Sequence, residues 1–186
     1  MQTKKHLILM MGGQGVGKGS LSKMLMNVHP FKYIETGAIL RSMPPDSEIG
    51  RIVAQGHLVT DDILFDIMND KLSGDQDIIL DGFPRKISQA KWLIENYADI
   101  YNIHVLYLSA PESVLIARIN KRIGDGGGRA DDACADVIRR RLDNYLNMTI
   151  PAIDWLRTVP NIKFSQIDAC GTKDENIQEI MKVLVL

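Results

Sequence analysis

The sequence predicts an α/β fold of three layers, a parallel sheet of about five strands with helices on both faces. Two observations carry this expectation. Short apolar runs at Leu7–Met11, Ile78–Leu80 and Ile103–Leu108 have strand length, the latter two reading as buried strands of a parallel sheet, and Ile162–Ile167 reads as a last strand. Stretches with apolar residues at helical spacing separate them, so strand and helix alternate along the chain. The 186 residues, 45% hydrophobic and 24% charged, suit one globular domain with a real core, and no repeat or linker interrupts them.

In order, Leu7–Met11 is the first strand, and Leu21, Met24 and Leu25 mark a helix after a glycine-rich loop. Lys32–Glu35 reads as a short second strand leading to one helical turn at Ala38–Arg41, which Pro44-Pro45 stops. Asp46 or Ser47 caps the next helix, which ends at Gly56, and Thr60-Asp61-Asp62 opens another with Ile63, Leu64, Ile67, Met68 and Leu72 inside, closed by Gly74. The strand Ile78–Leu80 runs into Asp81-Gly82-Phe83-Pro84-Arg85, and a helix follows from about Ser88 to Asp99. After the strand Ile103–Leu108, a helix runs from Glu112 to about Ile123, where Gly124 and Gly126 to Gly128 break the pattern. Asp131 or Asp132 caps a long helix through Trp155, bent or broken near Pro151. A last strand, Ile162–Ile167, and a last helix, Glu175–Leu184, complete the chain.

The stretch Gly12 to Ser20, G-G-Q-G-V-G-K-G-S, sits between the first strand and the first helix. Strand, glycine loop and helix make the context of a phosphate-binding loop, in which backbone N–H groups and the helix dipole face an anion. Lys18 adds a point charge for the outer phosphates of a nucleotide, and Gly19 and Ser20 follow it where the general motif wants a hydroxyl at once. In a parallel sheet ligands bind beyond the carboxyl ends of the strands, which sets this loop, Glu35–Thr36 and Asp81–Arg85 on one rim. Asp81, directly after a buried strand, stands where such proteins keep the carboxylate that governs magnesium. Arg85, Arg118, Arg122, Arg129 and Arg139 to Arg141 gather positive charge around the glycine break, which reads as a lid closing over polyphosphate, with its arginines away from the phosphates until a nucleotide draws them in. No nucleophilic arrangement is evident, and phosphoryl transfer needs none.

The net charge of −1 gives no bulk attraction to nucleic acid or an anionic membrane. No apolar run approaches a membrane span or a signal-peptide core. Cys134 and Cys170 lack metal-ligand spacing and read as reduced thiols, which predicts a cytoplasmic protein.

Over nearly its whole length the chain resembles the adenylate kinases. The loop G-x-x-G-x-G-K-G-S, then E-T-G-A-I-L-R, H-L-V-T-D-D, D-G-F-P-R-K-I-S-Q-A, R-I-N-K-R, G-R-A-D-D and R-R-R-L-D-N-Y appear in the family's order, and D-G-F-P-R with Gln89 four residues on is the most specific. The resemblance implies reversible phosphoryl transfer from ATP to AMP giving two ADP, in a monomer with Mg2+ and no structural zinc. It implies an AMP-binding insertion over about residues 35–64 and a short lid over about 123–132. Gly15, Val16, Gly17, Lys18, Gly19 and Ser20 would hold the ATP phosphates, with Arg122, while Arg118 and Gly171 would flank the ATP base. Thr36, Gln89 and the backbone of His57, Leu58 and Val59 would surround the AMP base, beside Gly82, Phe83 and Pro84. Arg41 and Arg85 would grip the AMP phosphate, Arg129 and Arg141 would close over the transferred group, and Asp81 would orient magnesium through water.

The chain departs from the family at Gln14, where proline is usual, and at Ala38, the acidic position of T-G-D, and its segment after Arg41 is shorter. Without a carboxylate at 38 to orient Arg41, weaker AMP binding is expected. The alternatives are a UMP/CMP or other nucleoside monophosphate kinase, disfavoured by Thr36 and Gln89, and a non-catalytic nucleotide-binding module, disfavoured by Lys18 and the arginines. A guanine switch wants N-K-x-D, and Asn120-Lys121 is followed by Arg122-Ile123.

Overall fold

A computed structural model describes residues 4–126 and 134–184. Arg129 and the expected caps Asp131 and Asp132 lie outside the described residues. The elements are β1 (Lys5–Met11), α1 (Lys18–Met26), β2 (Lys32–Glu35), α2 (Thr36–Arg41), α3 (Glu48–Ala54), α4 (Asp61–Lys71), β3 (Ile78–Asp81) and α5 (Ile87–Tyr97). They continue with β4 (Tyr101–Ser109), α6 (Glu112–Gly124), α7 (Ala135–Asn144), a π-helical turn (Tyr145–Thr149), α8 (Ile150–Thr158), β5 (Lys163–Asp168) and α9 (Lys173–Val183).

The five strands form one parallel sheet in the order β2-β3-β1-β4-β5. Alternation along β1 divides the core between the two faces. Leu7, Leu9 and Met11 pack with Ile78, Leu80 and Val105 under α4, α5 and α8. Ile8 and Met10 pack with Ile79, Leu106 and Leu108 under α1 and α9. In register, Met10 of β1 and Glu35 of β2 both pair with Asp81 of β3, so the glycine loop that follows β1 springs out beside that aspartate.

The expected bend near Pro151 takes a specific form. Pro151 has no N–H to give to the carbonyl of Asn147, and the widened π turn Tyr145–Thr149 falls immediately before it. Ser47 caps α3 through a bond from the Gly50 N–H, and α9 opens with a capping box between Thr172 and Glu175. Among the described residues no helix is long and apolar enough to cross a membrane.

Candidate active site

The carboxyl ends of β1, β2 and β3 open into a cleft of about 840 Å³, in the upper part of the range of small-molecule sites. Its floor is the loop between β1 and α1. Gly15 has φ 87°, and a Cβ there would lie 2.7 Å from the Leu115 carbonyl oxygen, so only glycine fits. No side chain caps α1 at Gly17, which leaves the first helical N–H groups as anion donors. Lys18 Nζ donates to the carbonyls of Gly12 at 2.9 Å and Gly13 at 3.2 Å and stands 3.9 Å from Asp81 Oδ1.

Asp81 is buried, and a buried carboxylate requires donors. The Tyr33 hydroxyl donates to its Oδ2 at 3.1 Å. Tyr33 and Glu35 are two apart on β2 and so share a face, opposite the buried Ile34. Burial, then the negative charges of Asp81 and Glu35, push the Tyr33 hydroxyl far above its ordinary value, so it stays protonated.

Toward β2, the buried Thr36 hydroxyl donates to the Asp81 carbonyl at 3.2 Å. The turn after Asp81 is built round Gly82, whose φ is 88° and where a Cβ would come within 2.5 Å of that hydroxyl. Arg85 Nε donates to the Gly82 carbonyl at 2.8 Å, holding the guanidinium across the turn. Arg41 Nη2 donates to Glu35 Oε1 at 2.8 Å. Ala38 offers Arg41 no carboxylate, and the ion pair of Arg41 is with Glu35, at the end of β2.

Gln89 is fully buried and does not line the cleft. Its Oε1 accepts from the Arg85 backbone N–H at 2.7 Å and its Nε2 donates to Asp61 Oδ1 at 2.9 Å. Lys86 at 3.0 Å and Ser88 at 2.6 Å donate to the same carboxylate. Burial works to raise the Asp61 value, but the bonds from Ser88, Gln89 and Lys86 and the Lys86 charge outweigh it and hold the carboxyl below its ordinary range. This network ties the start of α4 to the start of α5.

On the other side of the glycine loop, Arg118 Nη1 donates to the Val16 carbonyl at 3.3 Å and Nη2 to those of Cys170 at 3.3 Å and Gly171 at 3.2 Å. Arg118 thereby joins the glycine loop to the turn between β5 and α9. Tyr145, in the π turn, lines the cleft and shares a 3.1 Å hydroxyl bond with Tyr107. A Cβ on Gly13 would lie 3.2 Å from the Tyr145 ring.

Of the residues expected in the site, Gly15 to Ser20, Thr36, Arg41, His57, Leu58, Val59, Asp81 to Arg85, Arg118, Arg122, Arg141 and Gly171 all line this one cleft. Arg141 is brought to the cleft by α7, which is docked on the turn between α3 and α4: Arg140 donates to the Gln55 carbonyl and Asn144 donates to that of Gly56 at 3.2 Å. Sequence reasoning placed Glu35 on the rim without a role and missed Tyr33, Asn144 and Tyr145. Tyr33 had a signal, the two-residue alternation of β2 toward Asp81. The described residues contain no group of three or more His, Cys, Asp or Glu placed to hold a metal ion.

A family model described as adenylate kinase matches residues 10–160. The chain is 33% identical over 189 aligned residues to an adenylate kinase of Bacteroides thetaiotaomicron, covering 95% of this chain and 97% of that one. To an adenylate kinase of Porphyromonas gingivalis it is 38% identical over 159 residues, covering 80% of each chain. To that of Thermus thermophilus it is 30% identical over 184 residues, covering 95% and 96%.

Proposed function

Since the chain belongs to the adenylate kinase family and is a phosphotransferase that converts ATP and AMP to two ADP, we propose how its own residues carry out that reaction. The observation that carries the reading is convergence. One cleft receives the glycine loop, Lys18, Asp81 and the arginines 41, 85, 118, 122 and 141 from segments far apart in the chain. Phosphoryl transfer asks for in-line placement and concentrated positive charge, and this set supplies both.

Gly15 to Ser20 hold the donor phosphates through backbone N–H groups, and Lys18 exchanges the neutral carbonyls of Gly12 and Gly13 for phosphate oxygens. Arg118 and Gly171 flank the donor base, and Arg122 meets its phosphates. Arg41 and Arg85 grip the acceptor phosphate beside Gly82, Phe83 and Pro84. Thr36, the backbone of His57 to Val59 and Gln89 shape the acceptor base site, Gln89 from behind the wall. Arg141, with Arg129, lies over the transferred group. The residues fit magnesium: a buried carboxylate, Asp81, stands beside the phosphate loop, and magnesium in such sites takes one or two carboxylates, waters and substrate phosphates. Bound there, the ion neutralises charge developing on the donor phosphates. We read the chain as a cytoplasmic monomer of one domain, with an acceptor-binding insertion over 35–64 and a lid over 123–132.

The test is ADP formation from ATP and AMP with and without magnesium, by wild type and Lys18→Ala. ADP formation that needs both magnesium and Lys18 supports the reading. ATP binding without ADP formation would make the chain a binding module instead.

A further inference from the structure

Arg41 belongs to the short helix α2, and the position one turn before it, Ala38, has no charge. Its guanidinium nevertheless has an acidic partner. Nη2 donates to Glu35 Oε1 at 2.8 Å. Nη1 passes close over Gly37, where a Cβ would lie 2.8 Å away. Glu35 is itself well placed, as the last residue of β2, in register with Asp81. Its other oxygen, Oε2, stands 3.5 Å from the Tyr33 hydroxyl, whose shorter bond goes to Asp81.

We infer that Glu35 is the positioning residue for Arg41, delivering from the end of β2 the carboxylate that α2 lacks at Ala38. This rests on the reading that Arg41 grips the acceptor phosphate. The two side chains are 27% and 24% exposed, and an ion pair that wet contributes little to folding. Its effect lies in order. An arginine fork that already points at its target forfeits less rotamer freedom when the phosphate arrives.

The direction of the effect separates this role from its alternatives. A carboxylate acting through charge alone would repel a phosphate, so its removal would tighten AMP binding. A carboxylate that positions Arg41 has the opposite signature. Calorimetric AMP affinity without ATP, the AMP and ATP KM values and the melting temperature are measured for Glu35→Ala, Glu35→Gln, Glu35→Ala with Ala38→Asp, and Arg41→Ala. Glu35→Ala should weaken AMP binding roughly 2- to 12-fold, the cost of ordering one long side chain, with a smaller change in ATP KM. Glu35→Gln, whose amide oxygen still accepts from Arg41, should recover part of the loss, and Ala38→Asp should recover part of it from the helix side. AMP binding unchanged or tightened by Glu35→Ala overturns the inference. So does a loss that neither replacement recovers, or one matched by ATP together with a fall in melting temperature. Arg41→Ala with unaltered AMP affinity would instead refute the assignment of Arg41, on which the inference depends.

Discussion

Lys18 Nζ stands 3.9 Å from Asp81 Oδ1, beyond hydrogen-bond distance, and donates instead to the carbonyls of Gly12 and Gly13. The lysine is folded onto its own loop with a buried carboxylate close by. Phosphate oxygens outcompete neutral carbonyls for an ammonium, because charge-assisted bonds are about twice as strong.

Lys18→Ala and Arg85→Ala should therefore lower kcat by roughly 10³–10⁵, the scale of removing a transition-state cation in phosphoryl transfer. The melting temperature should stay near that of wild type. Near-normal turnover in a protein that melts early would assign both residues to the fold.

Tyr33→Phe tests the support of Asp81. Without the phenol, a buried carboxylate loses a donor at 3.1 Å, at a cost of roughly 1–3 kcal/mol. The magnesium concentration for half-maximal activity should rise, while AMP affinity measured without ATP moves little. A magnesium dependence identical to wild type would show that the hydroxyl does not tune Asp81.

Asp61 gives the fold a dependence on acid. Its folded-state value lies below the ordinary 3.8, so the unfolded chain binds that proton more readily. The contribution is complete above about pH 4 and is lost as pH falls through the depressed folded value. Asp61→Ala should cost roughly 1.5–3 kcal/mol at neutral pH, since three donors lose a charged acceptor. In denaturant titrations the gap between wild type and variant should hold from pH 7 to 5 and narrow below about 4. A gap that is absent, or constant to pH 3, would remove Asp61 from this role.

The strands and the loop were legible because they are local. Apolar runs fix β1, β3 and β4, and the glycines before Lys18 fix the turn. Of the two candidate caps after Pro44-Pro45, Asp46 and Ser47, the structure uses Ser47. Thr172-Lys173-Asp174-Glu175 spells a capping box, and the last helix begins at Lys173, two residues before the expected start at Glu175. The pairs that shape the site were not legible. Tyr33 with Asp81, Gln89 with Asp61, and Arg140 with the Gln55 carbonyl join residues 28 to 85 positions apart. Only the folded register chooses such partners. The ion pair of Arg41 with Glu35, from another element, was equally out of reach.

The central claim is a cleft that passes a phosphoryl group from ATP to AMP, and the acceptor panel tests it most directly. Thr36 in the wall of the cleft and Gln89 behind it fix the shape of that wall through bonds already made to Asp81, Arg85 and Asp61. A site held so rigidly discriminates by the fit of the base edge, by roughly 10². The measurement is kcat/KM for AMP, GMP, UMP and CMP at fixed magnesium-ATP. The account predicts AMP first by about that factor. UMP or CMP matching or exceeding AMP would contradict it.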